Sequence, residues 1–107
     1  MNKVILMGNL CRDIDVRYTQ GNNTMVGTSA IAVQKNVKNK DGKYESDFIN
    51  LIFWGKTCEF ASKYFEKGSK ALVEGRIQTR NYDDKDGKRV YVTEVVVENI
   101  EFCGNVR

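Results

Sequence analysis

Lys56-Thr57-Cys58-Glu59-Phe60-Ala61-Ser62-Lys63-Tyr64-Phe65-Glu66-Lys67-Gly68 is the one stretch of this chain that breaks a period-2 rhythm. Its apolar residues fall at 60, 61, 64 and 65, which places them on one helical face. Lys67 sets a cation at the negative pole of the helix dipole and Gly68 offers a left-handed cap, so the spacing predicts a short helix ending there. Outward from it, the turn signals Gly21-Asn22-Asn23, Asp41-Gly42 and Asp86-Gly87 separate stretches rich in Val, Ile, Thr and aromatics. That is hairpin punctuation. It predicts strands near 3–18, 24–36, 44–54, 70–82 and 89–102, the first long enough to need a bend that Gly8 can supply. No internal repeat, low-complexity tract or linker stands out.

Three strands, a helix, then two strands is the order of an OB-fold. A small all-β domain must protect its edges, and closing into a five-stranded barrel does so. The 107 residues leave room for one such domain over 1–107. With 41% hydrophobic and 29% charged residues the composition is that of an ordinary globular protein, hiding roughly two-thirds of its unfolded surface. No apolar run approaches the roughly 20 residues that cross a bilayer, and Met1-Asn2-Lys3 opens no signal-peptide pattern. The expectation is a soluble, cytoplasmic protein with no membrane partner.

The absences narrow the chemistry. There is no His, hence no usual general base and none of the commonest metal ligand. Cys11, Cys58 and Cys103 are scattered and odd in number, which argues against a zinc site or disulfide framework and suits reduced thiols. Proline is absent where average usage gives about five. No Gly-x-Gly exists for a dinucleotide loop. Asp84, Asp86 and Gly87 resemble part of an EF-hand loop, but its first and last ligands would be Tyr82 and Thr93. Asp83, Asp84 and Asp86 at a hairpin tip beside Lys85 and Lys88 read as a solvated turn rather than a nuclease site. The reading is a protein that is not an enzyme, with no metal and no cofactor.

The net charge of +3 is unevenly spread. Residues 1–43 hold seven Lys/Arg against three Asp, with Lys35, Lys38, Lys40 and Lys43 gathered around Asp41. A solvated loop explains such a cluster, and so does a polyanionic partner.

Alternation divides the strands into faces. On 44–54, Ile49, Leu51 and Phe53 are assigned to the core, while Phe48, Asn50, Ile52 and Trp54 form a mixed face. Phe48 and Trp54 stand about 20 Å apart along it, too far for one base to touch both. On the fourth expected strand Ala71, Val73, Gly75 and Ile77 oppose Arg76, Gln78, Arg80 and Tyr82. Two arginines in alternation are costly to bury unpaired, so that second face is wet or occupied. Cations interleaved with aromatics match single-stranded nucleic acid, where phosphates alternate with stackable bases. Tyr18, Tyr44, Phe60, Tyr64, Phe65, Tyr91 and Phe102 read as packing residues.

Several separated stretches, in register from residue 2 to about 102, resemble the bacterial and phage single-stranded DNA-binding proteins. They are Asn2-Lys3-Val4-Ile5-Leu6-Met7-Gly8-Asn9-Leu10, Phe53-Trp54-Gly55-Lys56, Lys67-Gly68-Ser69, Val73-Glu74-Gly75-Arg76, Thr79-Arg80 and Thr93-Glu94-Val95-Val96-Val97. The resemblance implies an OB-fold subunit that assembles into homotetramers and binds unpaired DNA with little sequence preference, in replication, recombination and repair. It places stacking aromatics at Phe48, Trp54 and Tyr82. Backbone contacts fall on Lys3, Lys56, Arg76 and Arg80, with Lys35, Lys38, Lys40 and Lys43 as helpers. The family pattern favours a further aromatic near Val37, where this chain has none. Bacterial members also continue into a flexible linker with an acidic, partner-recruiting tip, whereas Gly104-Asn105-Val106-Arg107 is neutral to basic. That ending implies a short phage-type or accessory form, or a chain cut from a longer one. Alternatives are an RNA-binding or primosome-type OB module and a structural oligomerisation domain. The sticky alternation of the first strand (Val4, Leu6, Leu10 against Ile5, Met7) points to self-assembly.

Overall fold

The expected first strand is two strands, both laid on the same neighbour. In the computed structural model, which describes residues 1–103, β1 (Val4–Leu10) and β2 (Asp15–Tyr18) each pair antiparallel with β3 (Met25–Lys38). The interruption falls at residues 11–14, not at Gly8. There the Cys11 N–H donates to Ala30 O at 2.8 Å and Ser29 Oγ to Arg12 O at 2.9 Å, which ties the turning segment to β3. Gly8 serves the closure instead. From Val4 to Asn9, β1 pairs with β5 (Lys70–Asp83), and only Asn9 and Leu10 reach β3. A Cβ on Gly8 would run into the Ala32 carbonyl oxygen, so only glycine lets β1 cross from one neighbour to the other.

The remaining strands fall near their expected bounds. β4 (Tyr44–Trp54) pairs with β3, and β5 forms a long hairpin with β6 (Arg89–Phe102). β4 and β6 meet in parallel at Leu51↔Val95 and Ile52↔Val96 alone. The order β1-β5-β6-β4-β3, shut by the β1–β3 contact, is a closed five-stranded barrel with one helix, α1 (Gly55–Tyr64), after β4. This is the OB-fold architecture expected from the element order. Leu10, Ile31, Leu51, Phe53, Val73 and Val95 fill the barrel.

The helix ends earlier than its charge pattern predicts. Phe65 is already extended (φ −117°, ψ 143°), with its N–H bonded to Ala61 O, and Lys63 rather than Lys67 is the cation of the last turn. Phe65 leaves the helix because its ring enters the core, stacked on Phe102 at a centroid distance of 4.2 Å. Gly68 is left-handed (φ 91°), but it shapes the next turn, where its N–H donates to Leu10 O. The buried face of α1 is Cys58 and Ala61 continuing to Phe65, while Phe60 and Tyr64 stay exposed.

The β3–β4 and β5–β6 hairpins end in the same turn, a repeat not evident from strand patterning. Asn39-Lys40-Asp41-Gly42-Lys43 and Asp84-Lys85-Asp86-Gly87-Lys88 each begin with a side-chain oxygen that accepts two backbone N–H groups, two and four residues on. Each places its glycine at positive φ. Asx chemistry and a left-handed glycine therefore build both tips, leaving Lys40, Lys43, Lys85 and Lys88 exposed. Residues 104–107, on which the expectation of a neutral to basic end rests, lie outside the described residues.

Candidate nucleic-acid interface

Register carries one outer face across three strands. On β5, Arg76, Gln78, Arg80 and Tyr82 stand opposite Val96, Glu94, Val92 and Val90 of β6. Val96 in turn stands beside Ile52 of β4, so Phe48, Asn50, Ile52 and Trp54 share that face by alternation. Beyond the two β4–β6 pairs the hairpins run separately, one carrying Phe48 and the other Arg80 and Tyr82. Phe48 is 71% exposed, Trp54 43% and Tyr82 49%. Ile52 differs from the mixed-face expectation: it is buried beside Val96 at the one point where β4 and β6 touch. Ile77 differs in the other sense: it lies two residues beyond Gly75, where the pairing of β1 with β5 ends, and it is exposed. The Asn2 side chain brackets it, donating to Ile77 O and accepting from Ile77 N, both at 2.8 Å.

The cations are placed in unlike ways. Lys56 lies exposed in the first turn of α1, two residues from Trp54, and Arg76 is exposed with no ion pair among the described residues. Lys3 pairs with Glu74 at 2.7 Å; the hydrogen bond raises the lysine pKa and lowers that of the carboxyl. Lys35 reaches Asp47 at 3.5 Å, and Lys38 sits over the Tyr44 ring at 5.6 Å. Arg80 is the most constrained. Its Nε donates to Glu94 Oε2 at 2.8 Å and a terminal nitrogen reaches Oε1 at 3.4 Å, while Gln78 Nε2 donates to the same Oε2 at 2.8 Å. The Glu94 side chain is only 4% exposed. Burial pushes its carboxyl up, and the bonds from Arg80 and Gln78 with the Arg80 charge more than reverse this, holding it below its ordinary value.

Six aromatics read as packing residues are on the surface: Tyr18, Tyr44, Phe60, Tyr64, Tyr91 and Phe102. Of that group only Phe65 is buried. Tyr44 and Tyr91 are exposed because their hairpins run past the barrel, with Lys38 over the Tyr44 ring, whereas Phe60 and Tyr64 pack on each other on α1 and Phe102 stacks on Phe65 from outside. Tyr44 shares the parity of Phe48 and Trp54 on β4, a signal that alternation alone could have read.

Asp83 pairs with Arg89 at 2.9 Å and Asp84 organises its turn. Among the described residues no group of three or more His, Cys, Asp or Glu could hold a metal. Gly55-Lys56-Thr57 has the letters that close a phosphate-binding loop, but Asn50 stands where its first glycine would be, and 50–54 is strand. Cys11, Cys58 and Cys103 are free thiols.

Residues 1–103 match the model of the single-strand binding protein family. The chain belongs to that family. Over 102 residues, 95% of its length, it is 51% identical to a single-stranded DNA-binding protein of Bacillus cereus. It is 49% identical over the same share to single-stranded DNA-binding protein 2 of Listeria monocytogenes, and 47% to single-stranded DNA-binding protein 3 of Clostridium acetobutylicum. The matched region spans 59%, 63% and 70% of those relatives' lengths. Family membership and the barrel thus agree on the architecture read from element order. Among the described residues no helix is long and apolar enough to cross a membrane.

Proposed function

We propose that this member of the single-strand binding family binds unpaired DNA, without catalysis and with little sequence preference, on the outer face of β4, β5 and β6. The observation that carries the reading is Phe48, Trp54 and Tyr82 exposed on one register-linked face with Arg76 among them. Bases stack on the three rings, and every base has a π face, so sequence matters little. Lys56 and Arg76 neutralise phosphates, joined by Lys38, Lys40 and Lys43 from the β3–β4 hairpin. Lys3 and Lys35 can also turn to phosphate, because exposed ion pairs cost little to break. No aromatic stands at Val37, so the chain supplies one stacking position fewer in that stretch.

The relatives' names support DNA as the partner, and the role is protection of unpaired DNA during replication, recombination and repair in the cytoplasm. Ile5 and Met7, exposed on the outer side of β1, support assembly into a homotetramer. Titration with fluorescent deoxythymidine and ribouridine oligomers tests the function. Tight binding that favours DNA supports it; preference for RNA makes the chain an RNA-binding OB module, and no binding at low salt leaves a structural oligomerisation domain.

A further inference from the structure

Arg80 differs from every other cation on the proposed DNA face, because it is fastened from beneath. Glu94 lies under it, nearly excluded from water, and takes hydrogen bonds from Nε and a terminal nitrogen of Arg80 and from Gln78. Both Arg80 donors lie on one edge of the guanidinium, and these two contacts, at 2.8 and 3.4 Å, together with the covalent tether at Cδ orient the plane of the group. The side chain is still 47% exposed. Cross-strand pairing sets it opposite Val92 and two residues from Tyr82 on the same side of β5. An apolar neighbour, an aromatic and a planar, immobilised cation therefore lie together.

A phosphate at Arg80 would have to share the guanidinium with a carboxylate already 2.8 Å from it, and two anions on one cation repel. A base carries no charge and meets no such opposition. Guanidinium planes stack on bases much as aromatic rings do. Building on the function proposed above, we infer that Arg80 is a base-stacking platform rather than a phosphate contact, with Glu94 and Gln78 as its positioning residues. The platform adds a fourth stacking surface to Phe48, Trp54 and Tyr82, and it leaves Arg76 as the phosphate contact of β5.

Salt separates the two roles. A phosphate contact contributes about −0.7 to the slope of log affinity against log salt, while a stack contributes affinity without slope. The measurement is binding of a fluorescent deoxythymidine oligomer from low to high salt by the native protein, Arg80→Ala, Arg80→Lys and Arg76→Ala. Arg80→Lys keeps a cation beside Glu94 but loses the plane, and a thermal melt of each variant confirms that it is folded. We expect both Arg80 variants to bind about five- to a hundredfold more weakly at every salt concentration, with unchanged slope. Arg76→Ala should flatten the slope by about 0.7. An Arg80→Ala slope that flattens as much, with Arg80→Lys binding like the native protein, overturns the platform and restores the phosphate contact. Native affinity in both Arg80 variants removes the residue from the site. A native protein that ignores the oligomer at low salt overturns the function itself and the platform with it.

Discussion

Arg80 and Glu94 form an ion pair 2.8 Å long in which one partner reaches solvent and the other scarcely does. The glutamate therefore depends on the arginine and on Gln78 for its charged state. Because its folded pKa lies below the ordinary 4.5, the stability it contributes is present above about pH 4.5 and is lost as pH falls through the folded value. Glu94→Gln should cost about 1–2 kcal/mol at pH 7, held down by the exposure of Arg80. In return the variant should lose less stability than the native protein on acidification from about pH 5 to 3. Denaturant melts across that range give the comparison, and equal acid sensitivity would show that Glu94 does not set it.

Barrel closure rests on a missing side chain. Gly8→Ala drives a methyl into the Ala32 carbonyl where β1 passes from β5 to β3. The strands are hydrogen-bonded on both sides and cannot move apart cheaply. The cost should sit at the top of the roughly 1–3 kcal/mol range for overpacking. A melting temperature equal to the native value would mean that β1 does not close the barrel as described.

Two neighbouring aromatics of the helix region should behave in opposite ways. Phe65 is buried and stacked on Phe102, so Phe65→Ala should lose about 3–5 kcal/mol of stability. Phe60 is exposed, and Phe60→Ala should stay within about 1 kcal/mol. Chemical denaturation of the pair reads the difference directly.

The outer side of β1 exposes Ile5 and Met7 while Val4 and Leu6 turn inward onto the core. Light scattering at micromolar concentration should return the mass of four chains, and Ile5→Lys should lower it without unfolding the barrel. A native monomer mass would remove the assembly.

Local patterning made much of this legible. Strands β3 to β6 follow from alternation over part of each strand, from their β-branched and aromatic residues, and from the glycine-bearing turns at Gly42 and Gly87. The opposition of Val73 to Arg76 and Arg80 on β5 is legible in the sequence because burying those cations unpaired is costly. What local pattern could not show is set by contacts distant in sequence. The break after Leu10 is made by bonds to Ala30 and from Ser29, and the early end of α1 by the stacking of Phe65 on Phe102. Nothing local in Thr93-Glu94-Val95-Val96-Val97 marks Glu94; its burial beneath Arg80 appears only when β5 and β6 are placed side by side. Tyr44 and Tyr91 read as core because strand aromatics usually are, yet their hairpins outrun the barrel.

Trp54, the only tryptophan, reports on the proposed DNA face without interference from Phe48 or Tyr82 when excitation selects indole. It is 43% exposed at the junction of β4 and α1, one ring among the three proposed to stack on bases. Adding a deoxythymidine oligomer should quench its fluorescence in a saturable titration. Trp54→Ala should weaken binding by about 1–3 kcal/mol, the span found for base–aromatic stacks in proteins of this very class, with little change in melting temperature. Unchanged fluorescence at saturating DNA, together with a Trp54→Ala variant whose melting temperature collapses, would contradict the account and make this indole part of the core.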